Sequence, residues 1–154
     1  MTAAVIRARP LLLTFLMGLM LSLSACVTLM APFDETTNRL ATDLQRKIST
    51  HFEALDGASA PECLHPAHVA FYDDARVDIS ALSVRTQAFQ MNAETIQQTV
   101  DLKEAVDTLE QLHRLASNAG RCMSSEELSP LRRAFDSHLG AIIRLEIAKK
   151  RGAS

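Results

Sequence analysis

The chain has 154 residues, with 16 Lys and Arg against 18 Asp and Glu and a net charge of −2 at pH 7. This length is typical of one domain. The weakly acidic balance excludes the basic surface of a nucleic-acid-binding protein, so we expect no DNA or RNA partner. Trp is absent and Tyr occurs once. Ala, Leu, Gln, Glu and Arg, which all favour helices, dominate the sequence.

The N-terminal segment has the three regions of a secretory signal peptide. A basic start with Arg7 and Arg9 precedes an apolar stretch from Leu11 to Leu23, and small residues follow it. The run Leu23-Ser24-Ala25-Cys26 resembles the lipobox of bacterial lipoproteins. In that family the cysteine sulfur is acylated, the peptide is cut just before it, and the new N-terminus is acylated again.

The resemblance implies a division of the chain and a location. We expect a signal peptide (1–25), a lipid-anchored tether (26–33), a helical domain (34–150) and a short tail (151–154). Because the leader holds two basic residues and no acid, the remaining 129 residues carry 14 basic against 18 acidic side chains, a net charge of −4. The second mature residue would be Val27 and not Asp, which by resemblance favours the outer membrane, with the protein facing the periplasm.

The same segment has a second interpretation. Leu11 to Ala31 is almost continuously apolar, and a stretch of about 20 such residues spans a bilayer as an uncleaved helix. At Cys26, however, small residues, a thiol for acylation and a suitable distance from the N-terminus coincide. We therefore favour cleavage and lipidation at Cys26.

Apolar residues three or four positions apart predict four helices. Their expected bounds are about Asp34 to Asp56, about Pro66 to Gln90, about Ala93 to Asn118 after Asn92 as N-cap, and about Pro130 to Lys150 after Ser129 as N-cap. The apolar stripes are Leu40, Leu44, Ile48, Phe52 and Leu55; Tyr72, Ala75, Ile79, Leu82, Thr86 and Phe89; Leu102, Val106, Leu109, His113 and Ala116; and Leu131, Phe135, Leu139 and Ile142. No stretch alternates with a period of two for long, so we expect an all-α fold.

Two cysteines after the lipobox, Cys63 and Cys122, decide how these helices connect. The break at Met91-Asn92 contains no Gly or Pro, so the second and third helices are also compatible with one continuous rod. In an oxidising periplasm an even pair of cysteines predicts a disulfide. A turn at the break places both cysteines at one end of an up-down-up-down four-helix bundle, whereas a rod would hold them far beyond the Cα limit of about 7 Å. We predict the bundle with a Cys63–Cys122 disulfide.

This topology returns the fourth helix toward the anchored end of the bundle. Its last residues, Lys149, Lys150 and Arg151, would then lie near the lipid headgroups, where cations favour anionic lipid. The same three cations also suit any helix C-terminus, because they complement the helix dipole. Both interpretations stay open from the sequence.

The best metal candidate combines Cys63, His65 and His68, since a thiol and two imidazoles within six residues suit zinc or copper. Oxidation of Cys63 would remove its thiolate, so we expect no metal or other cofactor and keep metal or small-ligand binding by this loop as the alternative function. Glu110 and His113 form one Glu-x-x-His unit of a di-iron bundle, but the fourth helix has no second copy and no central glutamates face the first. A hydrogen-bonded core position explains His113 more simply.

No arrangement for catalysis is present in the sequence. There is no Gly-x-Ser-x-Gly motif and no glycine-rich loop before a helix. Asp73, Asp74 and Asp78 with Arg76 are typical of a solvated helix face with local ion pairs. We expect a protein that is not an enzyme.

The second helix carries a further apolar stripe on the side opposite its first one, formed by Ala70, Val77, Ala81, Val84, Ala88 and Met91. A bundle helix normally has one apolar face and one wet face. Either the neighbouring helices cover both stripes, or the second is a surface for a protein partner or a second copy. Val77, Ala81, Val84, Ala88 and Met91 are the candidate interface.

Two segments carry a further resemblance. Phe71-Tyr72-Asp73-Asp74-Ala75-Arg76-Val77-Asp78-Ile79-Ser80-Ala81-Leu82 and Leu109-Glu110-Gln111-Leu112-His113 are similar to small proteobacterial lipoproteins that are themselves uncharacterised. This resemblance implies no activity. The function expected from the sequence is a non-catalytic, membrane-anchored helical module for protein interaction or scaffolding.

Overall fold

A computed structural model of the chain describes residues 30–152. It contains four α-helices, numbered here in chain order: α1 (Glu35–Asp56), α2 (Val69–Gln87), α3 (Ala93–Asn118) and α4 (Ser125–Gly152). A short 3-10 helix (His65–His68) leads into α2. No strand occurs among the described residues, and the expected all-α four-helix bundle is confirmed.

The helices form a closed square around one apolar core. Each packs against its neighbours in the chain, and α4 also packs against α1. The predicted stripes supply the core, which contains Leu44, Ile48, Phe52 and Leu55; Tyr72, Ala75, Ile79 and Leu82; Leu102, Val106, Leu109 and Ala116; and Phe135, Leu139 and Ile142. Three stripe residues near helix ends, Leu40, Phe89 and Leu131, are only partly buried. Each large apolar side chain that is fully buried contributes about 1.5–3 kcal/mol.

Contacts between distant segments show which helix ends lie together. The N–H of Ala31 donates to the carbonyl oxygen of Met91 over 3.1 Å. The N–H of Asp34 donates to the carboxylate of Glu146 over 2.9 Å. The start of α1, the turn between α2 and α3, and the last turns of α4 therefore share one end of the bundle, which we call the basal end.

The opposite end, which we call the disulfide end, is closed by the predicted bond between Cys63 and Cys122. Their Cα atoms are 5.4 Å apart although 59 positions separate them in sequence. Cys63 lies between α1 and α2, and Cys122 lies between α3 and α4. The first and third connections thus share an end, as an up-down-up-down order requires.

The chain turns between α2 and α3 and does not form a continuous rod. Met91 has a φ of 58°, a left-handed conformation that ends the helical path. α2 stops at Gln87, earlier than predicted, and α3 starts at Ala93 as predicted. Asn92 holds the N-cap position without capping α3, because its side-chain amide donates to the carbonyl of Thr86 over 2.8 Å.

The predicted start of α2 at Pro66 was wrong by three residues. Pro66 lies inside the 3-10 helix, and the regular α-helix begins only at Val69. Pro lacks an N–H and has a fixed φ, so it fits the first turn of either kind of helix. The periodic pattern alone does not distinguish the two.

The predicted start of α4 at Pro130, with Ser129 as its N-cap, was also wrong. The helix begins at Ser125, and Pro130 lies inside it. The Oγ of Ser124 accepts from the N–H of Glu127 (3.3 Å), and the Glu127 carboxylate accepts from the N–H of Ser124 (2.8 Å). This reciprocal capping box satisfies two N-terminal donors and starts the helix before the proline.

Candidate functional site

The predicted lipidation residue, Cys26, lies outside the described residues, as does most of the apolar segment from Leu11 to Ala31. The described chain begins at Met30, four positions after Cys26. None of the helices within residues 30–152 is both long enough and apolar enough to cross a membrane.

The second stripe of α2 is exposed along its whole length. Val77, Val84 and Met91 have 67%, 69% and 57% of their surface accessible, and the three alanines of the stripe are exposed as well. α2 packs against α1 and α3 through its first stripe, which contains Tyr72 and Leu82. The interpretation that neighbouring helices cover both stripes is therefore wrong, and the second stripe faces outward.

A shallow groove of about 600 Å³ follows this stripe between α1 and α2. Its lining from α2 includes Val77, Ala81 and Val84, and α1 adds Thr36 and Leu40. Leu40 belongs to the apolar stripe of α1 but is only partly buried, so the groove wall is apolar on both sides. The sequence identified the α2 side of this surface and not the α1 side.

Charged side chains beside the groove pair with each other across the two helices. Arg85 of α2 donates from Nε and Nη2 to the carboxylate of Asp34, over 2.9 and 2.7 Å. Asp34 also caps α1 by accepting from the N–H of Thr37 over 2.9 Å. The hydrogen bonds from Arg85 hold the pKa of Asp34 well below its usual value. Farther along, Lys47 contacts Asp78 over 2.5 Å.

Lys149 lies in a buried polar network and not on a basic surface. Its ammonium donates to the carboxylate of Glu146 over 2.5 Å and to the side-chain oxygen of Asn92 over 2.7 Å. The Lys149 and Glu146 side chains are only 4% and 1% exposed. Of the three C-terminal cations, Lys149 therefore does not contribute to an exposed basic surface, because it is on the core side of α4. Lys150 and Arg151 are exposed.

This network joins all four helices at the basal end. Glu146 of α4 accepts from the backbone of Asp34, which begins α1. Asp34 binds Arg85 of α2, and Lys149 of α4 binds Asn92 at the start of α3. These contacts fix the spacing of α1 and α2, and thereby the width of the groove at its basal end.

The disulfide end contains a second buried polar cluster around His113, which is fully buried. Its Nε2 lies 2.8 Å from the carbonyl oxygen of Cys63, so Nε2 carries the proton. The Tyr72 hydroxyl then donates to Nδ1 over 2.7 Å. Burial lowers the pKa of His113 and raises that of Tyr72. His113 is the hydrogen-bonded core residue that the sequence indicated.

Glu110 is buried beside this cluster and is surrounded by cationic groups. Its carboxylate contacts Arg76 of α2 and accepts from Arg114 over 2.5 Å, and the Nε2 of His65 lies 3.0 Å from it. Burial alone would raise the pKa of Glu110, but these hydrogen bonds outweigh burial and hold the pKa at about 2. Arg76 also binds Asp107 on α3 over 3.1 Å. Arg76 therefore links two helices, whereas the sequence indicated only local ion pairs.

The alternative metal site loses its thiolate in this arrangement. Cys63 is in the disulfide. His65 contacts Glu110, and His68 donates to the carbonyl of Glu62 over 2.7 Å. Within residues 30–152, no group of three or more His, Cys, Asp or Glu side chains is placed to hold a metal ion.

His51 and Glu146 were missed by the sequence analysis although helical spacing marks them. His51 continues the stripe of Leu44 and Leu55, and Glu146 continues that of Ile142. Both are buried. Residue type suggests surface at these positions, and spacing is the signal that could have found them.

Comparison of the chain with protein-family models, curated proteins and solved structures gives no match.

Proposed function

We propose that this chain is a non-catalytic lipoprotein, anchored in the outer membrane through Cys26, whose bundle faces the periplasm and binds a helix of a protein partner along the α1/α2 groove. The observation that carries the proposal is the exposure of the second stripe of α2, with Val77 and Val84 both about two-thirds accessible. A bundle helix normally keeps one apolar face, and a contiguous exposed second one marks an interaction site. The lipobox resemblance supports the location.

The spacing of the stripe suits a helical partner. Val77 and Val84 are seven positions apart, as are Ala81 and Ala88, and Ala81 precedes Val84 by three. This is the spacing of a helix–helix seam. The small alanine side chains allow a second helix axis to approach closely.

Charge favours a different protein over a second copy of this chain. Two copies tethered in one membrane would pack their α2 helices in parallel, so that each seam position meets itself. Asp74 lies seven positions before Ala81 and is exposed, and it would face another Asp74. Like charges in direct opposition are destabilising. A partner helix with apolar residues opposite the valines and a basic residue opposite Asp74 avoids this repulsion.

Site-specific photocrosslinking in intact cells tests the partner. A photoreactive amino acid at Val77 should give a product with a different protein, whereas the same probe at Val100, an exposed apolar residue of α3, should not. Val84→Glu should abolish the product and leave the circular-dichroism melt unchanged, because the Val84 side chain already faces water. Leu82→Glu should unfold the domain, since Leu82 is fully buried and an unpaired buried carboxylate costs several kcal/mol.

Three results would contradict this proposal. A product of twice the chain's own mass would identify a second copy as the occupant of the groove. Equal products from Val77 and Val100 would show no specific surface. A melt of Val84→Glu as low as that of Leu82→Glu would make the stripe part of the core.

The anchor has its own test. Cys26→Ser should abolish palmitate incorporation and partitioning into detergent, because Cys26 supplies the only thiol of the lipobox. A wild-type protein that keeps its N-terminal segment and takes up no palmitate would contradict lipidation.

A further inference from the structure

The two ends of the bundle differ in chemical character. Two segments of the basal end, Met30–Phe33 and Ala88–Met91, contain two Met, two Phe and no charged residue. Exposed charges border them at the helix ends: Glu35, Glu94, Lys150 and Arg151. Met30 and Met91 are exposed, and both phenylalanines are partly accessible. The disulfide end carries the connections 57–64 and 119–124, which are rich in Gly, Ala, Ser and Pro and include Glu62 and Arg121.

The short tether keeps the basal end close to a membrane that holds the lipid chains of Cys26. Met30 lies four positions after Cys26, and an extended chain advances at most about 3.6 Å per position, which gives roughly 14 Å. The next residue, Ala31, is buried and hydrogen-bonded to Met91, so the described chain begins at the basal end. The polar layer of a bilayer is itself about 5–8 Å thick on each side.

Both phenylalanines at the basal end lie against cations. The Nζ of Lys150 is 5.3 Å from the ring centre of Phe33, and the guanidinium carbon of Arg85 is 5.0 Å from that of Phe89. Arg151 is exposed beside them at the end of α4. Aromatic rings paired with cations suit the boundary between hydrocarbon and headgroups, where the ring meets an apolar layer and the cation meets phosphate.

We infer that the basal end is a lipid-binding surface that seats the bundle upright on the membrane, with Phe33, Phe89 and Met91 in the headgroup layer. This inference rests on the proposed lipidation of Cys26. The buried network of Glu146 and Lys149 keeps the four helix ends together at this surface. α1 has 22 residues, which at 1.5 Å each hold the disulfide end about 33 Å from the membrane. The α1/α2 groove then runs along the membrane normal, open to a helix that rises from the bilayer.

Tryptophan fluorescence tests this seating, because the chain has no Trp of its own. The full lipidated protein is reconstituted in vesicles of phosphatidylglycerol and phosphatidylethanolamine with brominated acyl chains, which quench nearby Trp. Phe89→Trp and Met91→Trp should shift to the blue and lose most of their emission relative to vesicles without bromine. Leu115→Trp, at an exposed α3 position near the disulfide end, is the matched control and should keep its emission.

Three results of the quenching and flotation measurements would contradict the seating of the basal end on the membrane. If the protein floats with the vesicles but Phe89→Trp and Met91→Trp are not quenched, the basal end does not contact the bilayer. This result would overturn the seating and leave the proposed lipidation intact. Equal quenching at all three positions would show a bundle lying flat, with the same consequence. If the protein with Cys26 intact does not float with vesicles, the proposed lipidation fails, and the seating fails with it.

Discussion

Replacing His51 by Phe should make the bundle less sensitive to acid. His51 is 5% exposed, and its ring stacks on Phe71 with centroids 3.5 Å apart. Its Nε2 is buried and has no hydrogen-bonding partner among residues 30–152. Burial, together with the nearby imidazoles of His68 and His113, lowers the pKa of His51 from 6.5 to about 3. The folded bundle therefore keeps this ring neutral at pH values where the unfolded chain protonates it.

The direction and size of the effect follow from linkage. Between pH 6.5 and about 3, the unfolded chain binds the additional proton, so the folded state loses stability as the pH falls through this window. Each pH unit corresponds to about 1.4 kcal/mol, so the loss reaches roughly 2–3 kcal/mol near pH 4.5. Above pH 6.5, His51 adds no pH dependence to the free energy of unfolding. A loss of this size is a large part of a total stability of about 5–15 kcal/mol.

Urea unfolding of the oxidised protein at about pH 7.5 and about pH 4.5 measures the effect. At each pH, the free energy of unfolding of the wild type is subtracted from that of His51→Phe. This difference should be larger at the lower pH than at the higher one by roughly 2–3 kcal/mol. His51→Leu is the matched control, because it also lacks ring nitrogens but packs differently against Phe71. Its neutral-pH stability will differ from that of His51→Phe, and its pH dependence should be the same. A wild-type-to-variant difference that is equal at both pH values would refute the reasoning.

Three further changes test the rest of the fold. Replacing Cys63 and Cys122 together by Ser should lower the free energy of unfolding by about 4 kcal/mol, the chain-entropy value for a loop of this length; urea unfolding checks it, and no loss would contradict a bridge. Glu146→Gln should cost about 3–5 kcal/mol by leaving a buried ammonium unpaired, and adding Lys149→Met should restore most of it in a double-mutant cycle. Glu110→Gln should cost about 1–2 kcal/mol at neutral pH, after allowance for its partly exposed arginine partners. Since the pKa of Glu110 is lowered from 4.5 to about 2, that cost should shrink as the pH falls through this interval, and a constant cost would argue against the ion pairs.

Helix spacing was a reliable guide to the core and residue type was a poor one. The stripe residues predicted for α3, including Leu102 and His113, are all buried. Lys149 was grouped by charge with Lys150 and Arg151, yet its spacing from Ile142 places it on the core side of α4. The start of α4 was assigned to Pro130 although Ser124 and Glu127 form the stronger signal, a capping box with both hydrogen bonds made.

Pairings between helices could not be obtained from sequence. Asp34 and Arg85 are 51 positions apart, and their contact depends on how α1 and α2 rotate about their axes. The candidate interface depended on packing in the same way. The pattern showed a second stripe through Val77 and Val84, and only the packing shows that no helix within residues 30–152 covers it. Leu40, which completes the groove from α1, carries no signal beyond ordinary core periodicity.

The polar and apolar contacts that hold the bundle together do not involve the second stripe of α2. The buried charges around Glu146 hold the helices together at the basal end, and His113 with its partners does so at the disulfide end. Between these two clusters the core is apolar and is completed by one stripe from each helix. The core therefore does not include Val77 and Val84, whose side chains face water. The partner helix that we propose would cover this apolar stripe, which the fold itself leaves exposed beside the α1/α2 groove.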